Sequence, residues 1–296
     1  MIPAPRILAG ALLLASLASP SPRPQASGSA APAPDSVAVL VGAGDIADCG
    51  DNADGPTAAL LDAIPGTVFT AGDNAYSSGT AQQFARCYDP TWGRHKDRTR
   101  PSPGNHDYGT DDGGPYFRYF GANAGPAGRG YYSYDLGGWH ILSLNSNVNM
   151  KAGSAQERWL RSDLAAHSAK CTLAYWHHPL FSSSQHGNYD PARSLWQALY
   201  DAGADVVVSG HDHTYERFAP QTPAGALDTA RGIREFVVGT GGAGLYDFPH
   251  IARNSEVRHN KTHGVIKLTL RADGYDWEFV PVAGGTFRDK GSGECH

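Results

Sequence analysis

Hydrophobic residues in this chain gather in short runs, continuous at 37–41, with a single threonine at 68–71 and 171–176, and mostly valine at 205–209. Runs without polar alternation predict strands covered on both faces. Between them the spacing changes to a helical one. Leu60 and Leu61 follow Pro56, with Asp54 as the predicted N-cap, and Phe84 follows the capping box Thr80-x-x-Gln83. Trp159, Leu160 and Leu164 follow Ser154-x-x-Glu157, and Leu195, Trp196 and Leu199 follow Asp190-Pro191. Each pairs a start signal with one apolar face. Residues 131–136 and 139–144 around Gly137-Gly138, and 264–270 and 275–282 around Ala272-Asp273-Gly274, read as hairpins. Strands alternating with helices and closing in hairpins predict an α/β fold, a sheet sandwich with helices outside. The stretch 110–129, rich in glycine and aromatics, looks too irregular for a core element and is predicted to form a rim loop.

The polar residues change the picture where the runs end. Five loops carry His, Asp or Asn: Gly44-Asp45, Gly72-Asp73-Asn74-Ala75-Tyr76, Gly104-Asn105-His106-Asp107, His177-His178-Pro179 and Gly210-His211-Asp212-His213. Any one alone is an ordinary turn. Together they offer imidazole, carboxylate and amide oxygen without thiolate, a donor set for first-row metals. Asp73, at the end of a strand where α/β sheets collect ligands, has two oxygens with which to bridge two cations, and Tyr76 offers a phenolate. A dinuclear metal centre is the reading. Asp48, Asp51 and Asp54 follow no EF-hand spacing and read as a solvated turn. His140, alternating with apolar neighbours, reads as structural. The glycine run 239–244 lacks the Lys-Ser/Thr of a nucleotide loop and reads as a tight turn.

Asp, then Gly-Asp-x-x-Tyr, Gly-Asn-His-Asp, His-x-Pro and Gly-His-x-His in that order resembles the metallophosphoesterase superfamily. The tyrosine of Gly-Asp-x-x-Tyr narrows the resemblance to the purple acid phosphatases, of the small single-domain type. Residues 210–217, Gly-His-Asp-His-Thr-Tyr-Glu-Arg, are similar to that family's last motif beyond its ligands. The resemblance implies two mixed β-sheets packed as a sandwich flanked by helices, with metals at the strand ends. It implies Asp45, Asp73, Tyr76 and His213 around Fe3+, and Asp73, Asn105, His177 and His211 around Fe2+, Zn2+ or Mn2+. The residues alone leave His177 and His178 open; the family's histidine two before the proline selects His177. His106 and His186 match substrate-side histidines. The implied reaction is hydrolysis of a small-molecule phosphate monoester by in-line attack of metal-bound hydroxide. The alternatives are a phosphodiesterase or nucleotidase on the same site and a non-catalytic metal-binding protein. The chain departs from the family at Ala174, where valine is usual three residues before the histidine.

Composition adds limits. A formal charge of −5 from 24 basic and 29 acidic side chains, without a basic run, argues against a nucleic-acid partner and against stable membrane association. Residues 1–30 are expected to hold a signal peptide and the start of a linker, 31–36 the rest of that linker, and 37–296 one catalytic domain. The expected location is secreted or periplasmic. Four cysteines in an exported chain point to disulfides. Of three pairings, Cys49–Cys87 with Cys171–Cys295 is preferred, because the first two lie shortly after ligand loops and the second pair ties the C-terminus to a strand.

Overall fold

The protein is represented by a computed structural model that describes residues 1–4, 37–50 and 53–296. The expected leader and linker, from residue 5 to 36, and Asp51 of the acidic turn lie outside the described residues. Among the described residues the strands are β1 (Ala38–Ala43), β2 (Thr67–Ala71), β3 (Thr99–Ser102), β4 (Tyr132–Leu136), β5 (Trp139–Ser143), β6 (Cys171–Tyr175) and β7 (Val206–Ser209), followed by β8 (Tyr215–Phe218), β9 (Arg234–Val238), β10 (Ser255–His259), β11 (Gly264–Arg271), β12 (Gly274–Pro281) and β13 (Lys290–Glu294). The α-helices are α1 (Asp54–Ala63), α2 (Ala81–Gln83, continued by a π-turn, Phe84–Tyr88), α3 (Gly114–Phe120), α4 (Ala155–Ala166) and α5 (Arg193–Asp201).

The strands form two mixed sheets. One runs β13-β12-β11-β1-β2-β3, with β1, β2 and β3 parallel; the other runs β10-β8-β9-β7-β6-β5-β4, with β5, β6, β7 and β9 parallel. The apolar runs follow from two covered faces. Ile141, Leu173, Val206, Val208, Phe236 and Val238 point into a core shared with Leu40, Val68, Phe69 and Leu268 of the first sheet. The residues between them, Leu142, Ala174, Val207 and Val237, point the other way, onto Leu160 of α4 and Leu195, Trp196 and Leu199 of α5. Period-two alternation is present, but both phases are apolar. Ala174 therefore faces α5 rather than the space between the sheets, and Trp176 and Trp196 pack in the same cluster.

Both capping signals are realised. Thr80 Oγ1 accepts from Gln83 N at 3.1 Å while Gln83 Oε1 accepts from Thr80 N at 2.9 Å. Ser154 Oγ accepts from Glu157 N at 3.2 Å, although the Glu157 carboxylate turns to Gly153 N instead. Cys49 pairs with Cys87 and Cys171 with Cys295, the preferred pairing. Two expectations are corrected. Asp54 is the first residue of α1 rather than its cap, and is buried, with its carboxylate accepting from Thr91 Oγ1 at 2.6 Å. The stretch 110–129 contains α3, whose buried Phe120 packs on Phe84 and Tyr88, with buried Tyr116 against Phe120. Its flanking glycines concealed an aromatic i, i+4 pair.

Candidate metal centre

The five loops meet at the C-terminal ends of the parallel strands, where the two sheets face each other. Backbone contacts interlock them: His211 N donates to Asp45 Oδ2 at 2.8 Å, Gly210 N to the His177 carbonyl at 3.0 Å and Asp45 N to the Gly72 carbonyl at 3.0 Å. The approach leaves no room for side chains. A Cβ on Gly104 would lie 2.0 Å from Asp73 Oδ1, and one on Gly72 2.5 Å from His177 Nδ1. Asp45, Asp73 and His211 hold φ of 60°, 48° and 68°, the sparsely populated left-handed region, as strained residues at functional sites often do.

All seven predicted ligands converge, in two groups. Tyr76 Oη lies 2.8 Å from Asp45 Oδ1, 3.2 Å from Asp73 Oδ2 and 3.1 Å from His213 Nε2. His177 Nε2 lies 3.1 Å from Asp73 Oδ2, 3.0 Å from Asn105 Oδ1 and 3.2 Å from His211 Nδ1. Oδ2 of Asp73 belongs to both. The far nitrogens of the two buried histidines are already used: His177 Nδ1 donates to the Ala71 carbonyl at 2.8 Å and His213 Nδ1 to the Gly244 carbonyl at 2.7 Å. Nε2 of each ring is thereby turned toward carboxylate, phenol, amide or imidazole atoms of its group. One proton cannot satisfy such a set; a cation at its centre satisfies every member, so the residues fit a metal.

With side chains alone, Asp73 and His177 hold each other in charged form. Burial pushes the Asp73 carboxyl up and the His177 imidazole down, yet their mutual charge overrides it, lowering Asp73 and raising His177 to about 9. Burial, then Asp45 and Asp73, drive the Tyr76 phenol far up when only these side chains are present. A buried anionic cluster of this kind calls for positive charge. His178 lies beside the second group; its Nδ1 is engaged by Ser146 Oγ at 2.7 Å and its ring stacks on Tyr189. Burial and then His177 hold it down to about 3.

The two substrate-side histidines flank the groups. His106 Nδ1 faces the Ser77 carbonyl at 2.5 Å, its ring packs 4.4 Å from that of Tyr76, and Nε2 stands 3.8 Å from Asp73 Oδ2. His186 Nδ1 meets Asp212 Oδ1 at 3.0 Å, and its ring stacks 4.2 Å over His211. Among the described residues neither Nε2 makes a hydrogen bond, although that of His106 lies within ion-pair reach of Asp73. A cavity of about 540 Å³ opens beside Asn105, lined among others by Tyr108, Asn147, Lys151 and Tyr189. His140, by contrast, is buried between Asp135 and Asp163, a structural imidazole as expected.

Several contributors were not visible in sequence. Asp107 ties the Asn74 and Gly104 loops together. Tyr246 stacks on His213 at 3.9 Å. The glycine run supports the Asp45 loop, with Gly241 N and Ala243 N donating to the Gly44 and Asp45 carbonyls at 2.9 Å. The run bends without a hydrogen-bonded turn and approaches a ligand loop closely: a Cβ on Gly239 would lie 2.7 Å from Asp45 Oδ2.

Hard donors shared through one carboxylate oxygen, at the strand ends of a two-sheet sandwich, describe a metal-dependent phosphoesterase. Residues 29–215 match the family model described as calcineurin-like phosphoesterase, and the chain belongs to that family. Purple acid phosphatase 21 of Arabidopsis thaliana is 38% identical over 96 residues, which cover 30% of this chain and 22% of that protein. An uncharacterized Mycobacterium tuberculosis protein is 27% identical over 202 residues, 56% of this chain and 37% of its own. The aligned stretches thus span well under half of these relatives. Among solved structures, a purple acid phosphatase from yellow lupin (Lupinus luteus) seeds superposes with a TM-score of 0.74 at 21% identity, over 87% of this chain and 53% of that one. GAP50, the anchor in the inner membrane complex of Plasmodium, does so with 0.68 at 12% identity, over 88% and 89%. These structures establish the fold; activity is argued from the site.

Proposed function

We propose that the protein is a secreted dinuclear-metal phosphatase hydrolysing small phosphate monoesters, with the character of an acid phosphatase. The observation that carries this reading is the sharing of Asp73 Oδ2 by two donor groups, flanked by two histidines whose Nε2 atoms make no hydrogen bond among the described residues. Asp45, Asp73, Tyr76 and His213 would hold one cation, and the phenol with two carboxylates suits Fe3+. Asp73, Asn105, His177 and His211 would hold the other, a less charged set suited to Fe2+, Zn2+ or Mn2+. When bound, two such cations neutralise phosphoryl charge and acidify a water for in-line attack.

The chain's own residues supply the rest. His106 Nε2 orients a phosphoryl oxygen, and His186 Nε2 donates a proton to the departing ester oxygen. The cavity beside Asn105 has the size and mixed lining of a small-molecule site. Two disulfides fit an oxidising compartment, and among the described residues no helix is long and apolar enough to cross a membrane.

The test is hydrolysis of a chromogenic phosphate monoester and its matched diester by metal-loaded protein across pH, beside Asp73→Asn. The expected result is fast monoester turnover at acidic pH, lost in the variant by more than the 10–100-fold typical of removing an outer partner of a metal ligand. Faster diester cleavage would move the enzyme to the phosphodiesterases. Metal-loaded protein inert to every ester would leave a binding protein.

A further inference from the structure

The segment 180–186, which carries His186, crosses three carboxylates that are fully buried. Glu235 of β9 accepts from Leu180 N at 3.1 Å and Phe181 N at 3.2 Å. Glu216 of β8 accepts from Ser183 N at 2.9 Å and from the Ser183 and Ser255 hydroxyls. Asp212 takes the end of the segment: Oδ2 accepts from the Ser182 hydroxyl, and Oδ1 accepts from His186 N at 3.1 Å and meets His186 Nδ1 at 3.0 Å. Among the described residues no lysine or arginine pairs with Asp212. A carboxylate withdrawn from water without such a partner is costly, and here its oxygens are spent on one serine and one histidine.

The geometry points to Asp212 as the positioning residue of His186. The inference rests on His186 being the proton donor to the leaving group. Accepting from Nδ1–H, Asp212 fixes the tautomer and aims Nε2 outward, the logic by which a third group orients a catalytic imidazole. His186 needs such an anchor, because its side chain is 45% exposed and it precedes Gly187, at a φ of 68°. Held by Asp212 and stacked on His211, the ring loses less freedom when it acts. As the bond from phosphorus to the leaving oxygen breaks, its electron pair stays on that oxygen, which takes the Nε2 proton. The Nδ1 proton stays on the ring, donated as a hydrogen bond to Asp212, so the imidazolium is left as the neutral Nδ1–H tautomer.

The experiment compares kcat and KM for an aryl phosphate, whose leaving group needs no proton, with those for an alkyl phosphate, whose leaving group does. It uses Asp212→Asn, His186→Ala and the double variant, with metal content measured on each. Asp212→Asn is expected to raise the aryl-to-alkyl kcat ratio roughly 10–100-fold, within the range attributed to general acids and their orienting partners, with KM little changed. The double variant is expected to be no slower than His186→Ala. Equal losses on both esters, or losses that multiply in the double variant, would overturn the inference while leaving His186 in its role. An unchanged ratio in His186→Ala would overturn the reading of His186 and this inference with it. Asp212 stands between two predicted ligands, so if Asp212→Asn loses metal, Ser182→Ala decides. That variant frees Oδ2 and the Ser184 N–H that Ser182 Oγ accepts, while leaving the Oδ1 contacts to His186 in place; a rise of a few-fold in the same ratio at full metal content supports the inference, and no rise overturns it.

Discussion

Asp107 belongs to a motif without being one of its predicted ligands, and its contacts show why. Its carboxylate accepts from Gly104 N at 2.8 Å, from Asn74 N at 3.1 Å and from Asn74 Nδ2 at 2.9 Å, so two ligand loops hang on one buried side chain. Burial, then the charge of Asp73, pushes its carboxyl up to about 6 against those donors. Asp107→Ala strands buried N–H groups and loosens Asp73 and Asn105 together. The expected consequence is a 10–100-fold loss of metal affinity, measured by competition with a chelator; unchanged affinity would remove Asp107 from the site. The proposed ligands were legible because most are polar residues that follow a glycine or close an apolar run. Asn74 as partner of Asp107, His186 of Asp212 and His213 of Tyr246 were not, because they lie about 26–33 residues away in sequence. No local spacing encodes such contacts.

Among the elements, the strands with two apolar phases were found by pattern, as were α1, α4 and α5. The elements missed carry mixed signals. β8 and β9 each bury a glutamate, Glu216 and Glu235, in what would otherwise be an apolar position, and α3 is framed by glycines. Glu235 has a consequence for pH. Burial first, then Glu216, drive its carboxyl far above the ordinary 4.5, although two backbone N–H groups oppose them. A carboxyl raised in the folded state contributes stability below pH 4.5 that is lost as pH rises towards the folded value. Glu235 thus favours the folded state in acid. Each proton in that window makes stability fall by about 1.4 kcal/mol per pH unit. Glu235→Gln is expected to flatten the decline in urea-unfolding free energy of metal-free protein between pH 5 and 8 by up to one proton's worth. A slope equal to that of the parent protein would show that Glu235 does not titrate on unfolding.

At the scale of the whole molecule, the Cys171–Cys295 disulfide joins the first residue of β6, in one sheet, to the chain just past β13, at the edge of the other, across 124 residues. β13 is glycine-rich and half-exposed, and beyond it His296 N donates to Asp205 Oδ1 at 2.9 Å. Cys171→Ser with Cys295→Ser is expected to cost about 2–5 kcal/mol. For a domain of this size that lowers the melting temperature by roughly 4–20 °C, measured by calorimetry. No change would mean that the edge is held by its strand pairing with β12 alone. The apolar runs of this chain prescribed strands buried on both faces, and the polar residues after them prescribed a metal-binding donor set, because both depend on residue type and spacing within a few positions. Tertiary packing decided which oxygen of Asp73 the two groups share, and which nitrogen of each histidine faces inward. It also decided that the carboxylates of Asp107 and Asp212 are spent on loop donors. Those outcomes depend on carbonyls and carboxylates brought in from distant strands, and only the closing of one sheet on the other brings them within hydrogen-bonding reach.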